Sequence, residues 1–141
     1  MRQLEFGWYL PTNGDSTCFN DPGSTIRPSP DMMERIILAA EEAGFEYILI
    51  PVVNYCWEAV VIASYLAAQT RKIKPLIAAK PGYVNPVLFA KTMATLDQMT
   101  GGRLAINLIA GQAESDFIAD GIAYNKEQRY ALMAEEVVIM K

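Results

Sequence analysis

The side chains best placed to do chemistry in this sequence are Asn13, Cys56, Lys80 and Asn107. Each falls at or next to the C-terminal end of a short apolar segment, and in parallel α/β proteins ligands bind outside that end of the strands. The four are expected to converge on one pocket. The plainer alternative is that polar residues there merely solvate loops. Cys56 stands just before a predicted helix, where the helix dipole would favour a thiolate. The commoner fate of a free cysteine, a small buried filler, is its alternative. Cys18 lies in a long loop and has no such placement. The chain contains no His, which excludes Ser-His-Asp and Cys-His catalysis and any His-ligated metal site within it.

Other chemistries find little footing. No Gly-x-Gly-x-x-Gly follows a predicted strand and no P-loop signature occurs, so a Rossmann dinucleotide site is disfavoured. The carboxylate pairs Glu41-Glu42, Asp116 with Asp120, and Glu135-Glu136 are expected on solvated surfaces. Of Trp8 and Tyr9, neighbours on one strand, only one can face a flat ligand. Arg129 and Tyr130 open the last predicted helix, where they could reach an anionic group of a cofactor.

The elements that must position these residues follow from the apolar pattern. A strand covers residues 4–10 and stops at Pro11. Residues 12–30 form a long loop, a length that is often functional. A helix starts with Asp31 as N-cap and Glu34 three positions on, and ends at Gly44. Strand 45–50, helix 57–70, strand 76–79, a helix opened by Asn85-Pro86 and ended by Gly101-Gly102, strand 104–109, and a helix from Lys126 complete the chain. The order is βα four times over, and the strands are continuous apolar runs, the pattern of a covered parallel sheet. Two architectures fit: an open doubly wound sheet, or part of a (βα)8 barrel. The last helix reaches Lys141 in an apolar turn with no stop signal. Residues 1–141 are therefore read as a single domain, incomplete at the C-terminus, forming the first four units of a barrel.

Composition narrows the class of function. The chain has 141 residues, 52% hydrophobic and 20% charged, enough apolar surface to fold. A net charge of −4 argues against nucleic-acid binding. No apolar run approaches a membrane span and no signal-peptide core precedes the first strand. Two cysteines are too few for a disulfide scaffold. A cytoplasmic protein is expected.

Several segments resemble one family. Phe6-Gly7-Trp8-Tyr9-Leu10-Pro11-Thr12-Asn13-Gly14-Asp15 resembles the first strand and loop of the alkanesulfonate monooxygenases, members of the bacterial-luciferase-like flavin monooxygenases. Ala94-Thr95-Leu96-Asp97-Gln98-Met99-Thr100-Gly101-Gly102-Arg103, Asn107-Leu108-Ile109-Ala110-Gly111 and Glu127-Gln128-Arg129-Tyr130 resemble further segments of that family, in order and with matching spacing. The resemblance implies the N-terminal half of a TIM barrel that uses reduced FMN, supplied by a separate NAD(P)H-dependent flavin reductase, and O2. Coenzyme F420 is the less favoured cofactor. It implies oxygenation of a small organic substrate, an alkanesulfonate cleaved to aldehyde and sulfite or a related sulfur compound, by a homo-oligomer of the full-length protein. Carried over, Cys56 takes the catalytic position, Asn13 and Lys80 substrate-binding positions, and Asn107, Ala110, Gly111 and Tyr130 cofactor-binding positions. Asn13 stands where the sulfonate enzymes usually have His, Ala110 where the family has Thr, and Lys126 where it often has His. The alternative from a different class is a non-catalytic half-barrel that pairs with another chain, or binds a flavin or F420 without turnover.

Overall fold

The computed structural model describes residues 4–141. In chain order the elements are β1 (Gly7–Tyr9), the short strands β2 (Asp15–Ser16) and β3 (Thr25–Ile26), α1 (Pro30–Glu42), β4 (Tyr47–Ile50), α2 (Ala59–Ala67), β5 (Lys74–Ala79), α3 (Pro86–Thr100), β6 (Ala105–Leu108), α4 (Glu114–Ala119) and α5 (Lys126–Met140). Strands β1, β4, β5 and β6 form one parallel sheet in that spatial order. Both β1 and β6 are edge strands.

Strand register and burial decide between the two architectures. Ile48, Ile50 and Ile77 pack with Met33 and Ile37 of α1, Ala63 and Leu66 of α2, and Met93 and Leu96 of α3 in one core. These strand residues share one face of the sheet. The alternate row, Tyr9, Leu49, Leu76 and Ala105 in register, faces the other way. All three crossover helices therefore lie on one side, as in a barrel wall. A doubly wound sheet would have helices on both faces. The fold is α/β, a (βα)4 half of a barrel.

Two details near the start of the chain differ from the sequence reading. The residue capping α1 is Ser29, whose Oγ accepts the Met32 N–H at 3.2 Å, with Pro30 in the first helical position. Asp31 is thus inside the helix rather than its cap. The long loop 12–30 is not structureless: β2 and β3 pair antiparallel around a 3-10 turn at Pro22–Ser24, with Ser16 and Ser24 hydroxyls 2.6 Å apart. Both ends of α3 follow expectation, and α5 gains a cap that the sequence reading did not name. Asn85 accepts the Val87 and Leu88 N–H groups, Asn125 and Gln128 form a capping box, and Gly101 closes α3 at φ +70°.

The edge of the sheet opposite the candidate site is tied by two polar staples. The Glu41 carboxylate of α1 accepts the N–H groups of Arg71, Lys72 and Ile73 at 2.9, 2.7 and 2.9 Å. Glu41 is thus not the free surface charge expected of it. Arg103 donates from Nη1 to Ile73 O at 2.8 Å, from Nε to Thr100 O at 3.0 Å, and from Nη2 to Ala67 O and Thr70 O at 3.2 Å. Partial burial by itself would raise the Glu41 pKa. The three backbone donors and the Arg103 charge outweigh it and hold the carboxyl below the usual 4.5. A depressed carboxyl stabilises the fold above its unfolded pKa, and that contribution is lost as pH falls through the folded value. Glu41→Gln is expected to cost about 1 kcal/mol at neutral pH, the largely solvated carboxylate being screened. The deficit should shrink in acid below the depressed pKa. Urea unfolding at neutral and acid pH measures it; parent and variant equally stable at neutral pH would contradict the assignment.

Candidate active site

The carboxyl ends of the four sheet strands lead into loops 10–29, 51–58, 80–85 and 109–125, which form one rim. In the loop after β4, the Cys56 N–H donates to Val53 O at 2.8 Å, and the thiol is half-buried. Tyr9, the last residue of β1, faces this loop. Its burial first, then the neighbouring Cys56 and Tyr55, push the Tyr9 phenol above its ordinary range. Trp8 points to the opposite face and packs on Phe45, ring centroids 5.3 Å apart. Packing thus selects Tyr9 as the residue of the pair that faces the site. Helix α2 begins three residues beyond Cys56 and is capped by the Glu58 carboxylate, which accepts the Val61 N–H at 2.7 Å. The free helix terminus expected behind the thiol is already taken by that carboxylate.

Lys80, at the end of β5, is where the structure departs furthest from expectation. Its side chain is 0% exposed, and its Nζ lies 2.5 Å from Asp120 Oδ2, itself 14% exposed. Among the described residues this is the only direct ion pair. Asn54, with its amide nitrogen turned to the carboxylate, donates to Asp120 Oδ1 at 3.1 Å. Lys80 Nζ and Arg129 Cζ both lie over the Phe117 ring, 5.3 and 4.2 Å from its centroid. Lys80 is therefore not the free cation expected at the rim. Asp120, expected in solvent, is its counter-ion. Helix α4, which carries Phe117 and leads into Asp120, has no counterpart in the sequence reading.

Arg129 is also committed. It is buried and donates from Nε to Ala110 O at 3.0 Å and from Nη1 to Tyr124 O at 2.7 Å. The anionic cofactor contact expected of it gives way to backbone carbonyls. Glu136, expected on the surface, is buried and accepts the Gly82 N–H at 2.9 Å. Burial, then the carboxylates of Asp120 and Glu58, raise the Tyr83 phenol above its usual range. A cavity of about 20 Å³ behind this loop is lined by Val60, Lys80, Phe89, Leu108 and Glu136. It has room for one water and no ligand.

On β6, Asn107 pairs in register with Ala78 and shares the face turned away from the helices. Ala110 is buried, Gly111 is exposed, and Tyr130 from α5 is half-exposed beside it. A Cβ at Gly111 would lie 2.9 Å from Tyr130 Oη, so this glycine lets the phenol approach the backbone. The Gln112 Oε1 next door is buried without a partner. Asn13 sits far from this group. It lines a groove along the open edge of β1 with Gly7, Tyr9 and Phe19. Three strand spacings, about 14 Å, separate β1 from β6. The structure thus brings Cys56 to Tyr9, and Tyr130 to Gly111, and spreads the rest along an arc.

Tyr9, Asn54, Phe117 and Asp120 are the rim residues that sequence reasoning missed or set aside. Tyr9 was legible as one of two alternating aromatics. No sequence signal joins Lys80 to Asp120, forty residues on.

A family model for luciferase-like monooxygenases matches residues 4–141. The chain belongs to that family. Among solved structures, EDTA monooxygenase from Chelativorans sp. BNC1 superposes with a TM-score of 0.82 at 15% identity, over 99% of this chain and 36% of its own. The oxygenating constituent of 3,6-diketocamphane monooxygenase from Pseudomonas putida, in complex with FMN, gives 0.73 at 19%, over 97% and 38%. The coenzyme F420-dependent tetrahydromethanopterin reductase from Methanopyrus kandleri gives 0.66 at 25%, over 85% and 30%. The chain spans about a third of the length of these structures. Alkanesulfonate specificity, expected from the resemblance, has no counterpart in these matches.

The Lys80 pair makes a quantitative test of the rim. Removing one partner of a buried ion pair strands the other charge, at a cost of about 3–5 kcal/mol. Asp120→Asn should lose that much stability in urea unfolding. The double variant K80M/D120N, which strands no charge, should recover most of it. A single variant as stable as the parent would show that the pair is not buried in solution.

Proposed function

We propose that the protein carrying this chain is a two-component flavin-dependent monooxygenase. It takes reduced FMN from a separate NAD(P)H-dependent reductase and uses it with O2 to oxygenate a small organic substrate. One oxygen atom enters the substrate and the other leaves as water, the flavin supplying two electrons. The observation that carries this reading is the grouping of Tyr130, Gly111 and Gln112 at the end of the strand that bears Asn107, within a family of luciferase-like monooxygenases.

The residues fit part of the cofactor. The Asn107 and Gln112 amides and the Tyr130 hydroxyl are neutral donors and acceptors, suited to the carbonyls and hydroxyls of a flavin. Gly111 leaves backbone room beside them, and Ala110 orients Arg129 through its carbonyl. Lys80 and Arg129 are both occupied, so neither is free for the FMN phosphate. Cys56, beside Tyr9, is the candidate catalytic group, and Asn13 the candidate substrate contact at the β1 edge. An alkanesulfonate would need a free cation at the rim, which Lys80 does not provide.

FMN binding by the full protein, followed by flavin fluorescence, tests the cofactor assignment. Tyr130→Phe and Gly111→Ala should each weaken it about tenfold. Unchanged affinity in both would refute the assignment, and tighter binding of F420 than of FMN would replace the cofactor. The unpaired edges of β1 and β6 favour one outcome for the 141-residue chain alone: with reduced FMN and O2 it should form no oxygenated product. Labelled oxygen found in product by mass spectrometry would overturn that expectation.

A further inference from the structure

Resting on the flavin-monooxygenase reading, we propose that the site takes an uncharged organic substrate and discriminates against anions, with Asp120 as the residue that enforces the choice through Lys80. Two independent observations carry this. The first is the state of the rim's lysine. Lys80 is fully buried, held against Asp120 and covered by the Phe117 ring, so its charge is spent inside the protein. Arg129, the other buried cation nearby, is turned to backbone carbonyls.

The second is the distribution of charge. The four rim loops contain six carboxylates, Asp15, Asp21, Glu58, Glu114, Asp116 and Asp120, against only Arg27 and Lys80. Their surplus of four negative charges equals that of the whole chain, whose remaining charges balance. A rim with a net negative charge projects its field into the space it encloses and lowers the local concentration of anions. The sheet face below carries Tyr9, Leu49 and Leu76, with the Asn107 amide at its β6 end, a mostly apolar surface suited to a hydrocarbon body.

The test uses two ligands of equal chain length, octan-1-ol and octane-1-sulfonate, titrated calorimetrically into the full protein with and without FMN. The alcohol should bind, and the sulfonate should bind at least about tenfold more weakly, with the gap narrowing as salt is raised. In Asp120→Asn, which leaves Lys80 without its counter-ion, sulfonate binding should rise about tenfold relative to the alcohol. In K80M/D120N the ratio should return to that of the parent, a result that a merely structural role for Asp120 would not produce. Sulfonate binding equal to or tighter than that of the alcohol in the parent overturns the proposal, as does failure of both to bind. A selective loss of sulfonate binding in the double variant also overturns it, because it would make Lys80 the anion site. Failure of FMN to bind while the alcohol still outbinds the sulfonate would refute the flavin reading and leave the charge selectivity standing.

Discussion

Burying the ammonium of Lys80 is the constraint from which the rim is built. An isolated charge taken out of water costs several kcal/mol even after relaxation, so the fold must bring an anion to it. The anion is Asp120, and reaching β5 from beyond β6 obliges the chain to fold residues 109–125 back over the strand ends. That return forms α4, seats Phe117 under two cations, and brings Asn54 of the neighbouring loop against the same carboxylate. It also delivers α5 to the place where Arg129 ties down Ala110 and Tyr130 overhangs Gly111. One buried charge thereby couples three rim loops.

The two ends of the sheet divide their labour. At the amino end, Glu41 and Arg103 are saturated with backbone partners, and their chemistry is exhausted in holding loops together. At the carboxyl end, polar groups retain capacity: Gln112 Oε1 has no partner, Tyr130 is open to solvent, and Asn107 faces away from the helices. A barrel strand makes such a division natural, because its carboxyl end is where loops can vary without disturbing the wall. Membership of the luciferase-like monooxygenases agrees with that layout.

The helices also explain why the candidate residues form an arc and not a closed pocket. Packing α1, α2 and α3 on one face curves the sheet wall and leaves the other face open, bounded by β1 and β6. Asn13 and Tyr130 belong to opposite ends of that wall, while Cys56 and Lys80 occupy the middle. Along it, the Asn107 amide and the Tyr9 and Tyr130 phenols stay accessible, while the cations of Lys80 and Arg129 are turned inward.

Much of the wall was legible in the sequence itself. The βα order, the continuous apolar strands, the cap Asn85 and the closing Gly101 are local signals, because periodicity and capping act within a few residues. The same locality explains the small errors: Ser29 and Asp31 are both competent caps, and only the geometry entering α1 chose between them. Sequence also placed Asn107 and Tyr130 at the rim. What only the tertiary structure decided was the fate of the charges. Whether Glu41, Asp120 and Glu136 meet water or a donor, and whether Lys80 meets a ligand or a carboxylate, depends on contacts between residues thirty to fifty-four positions apart. No sequence periodicity spans such distances. The low dielectric of the packed interior then fixes the outcome, since a charge enclosed there must find its opposite or its hydrogen bonds within the fold.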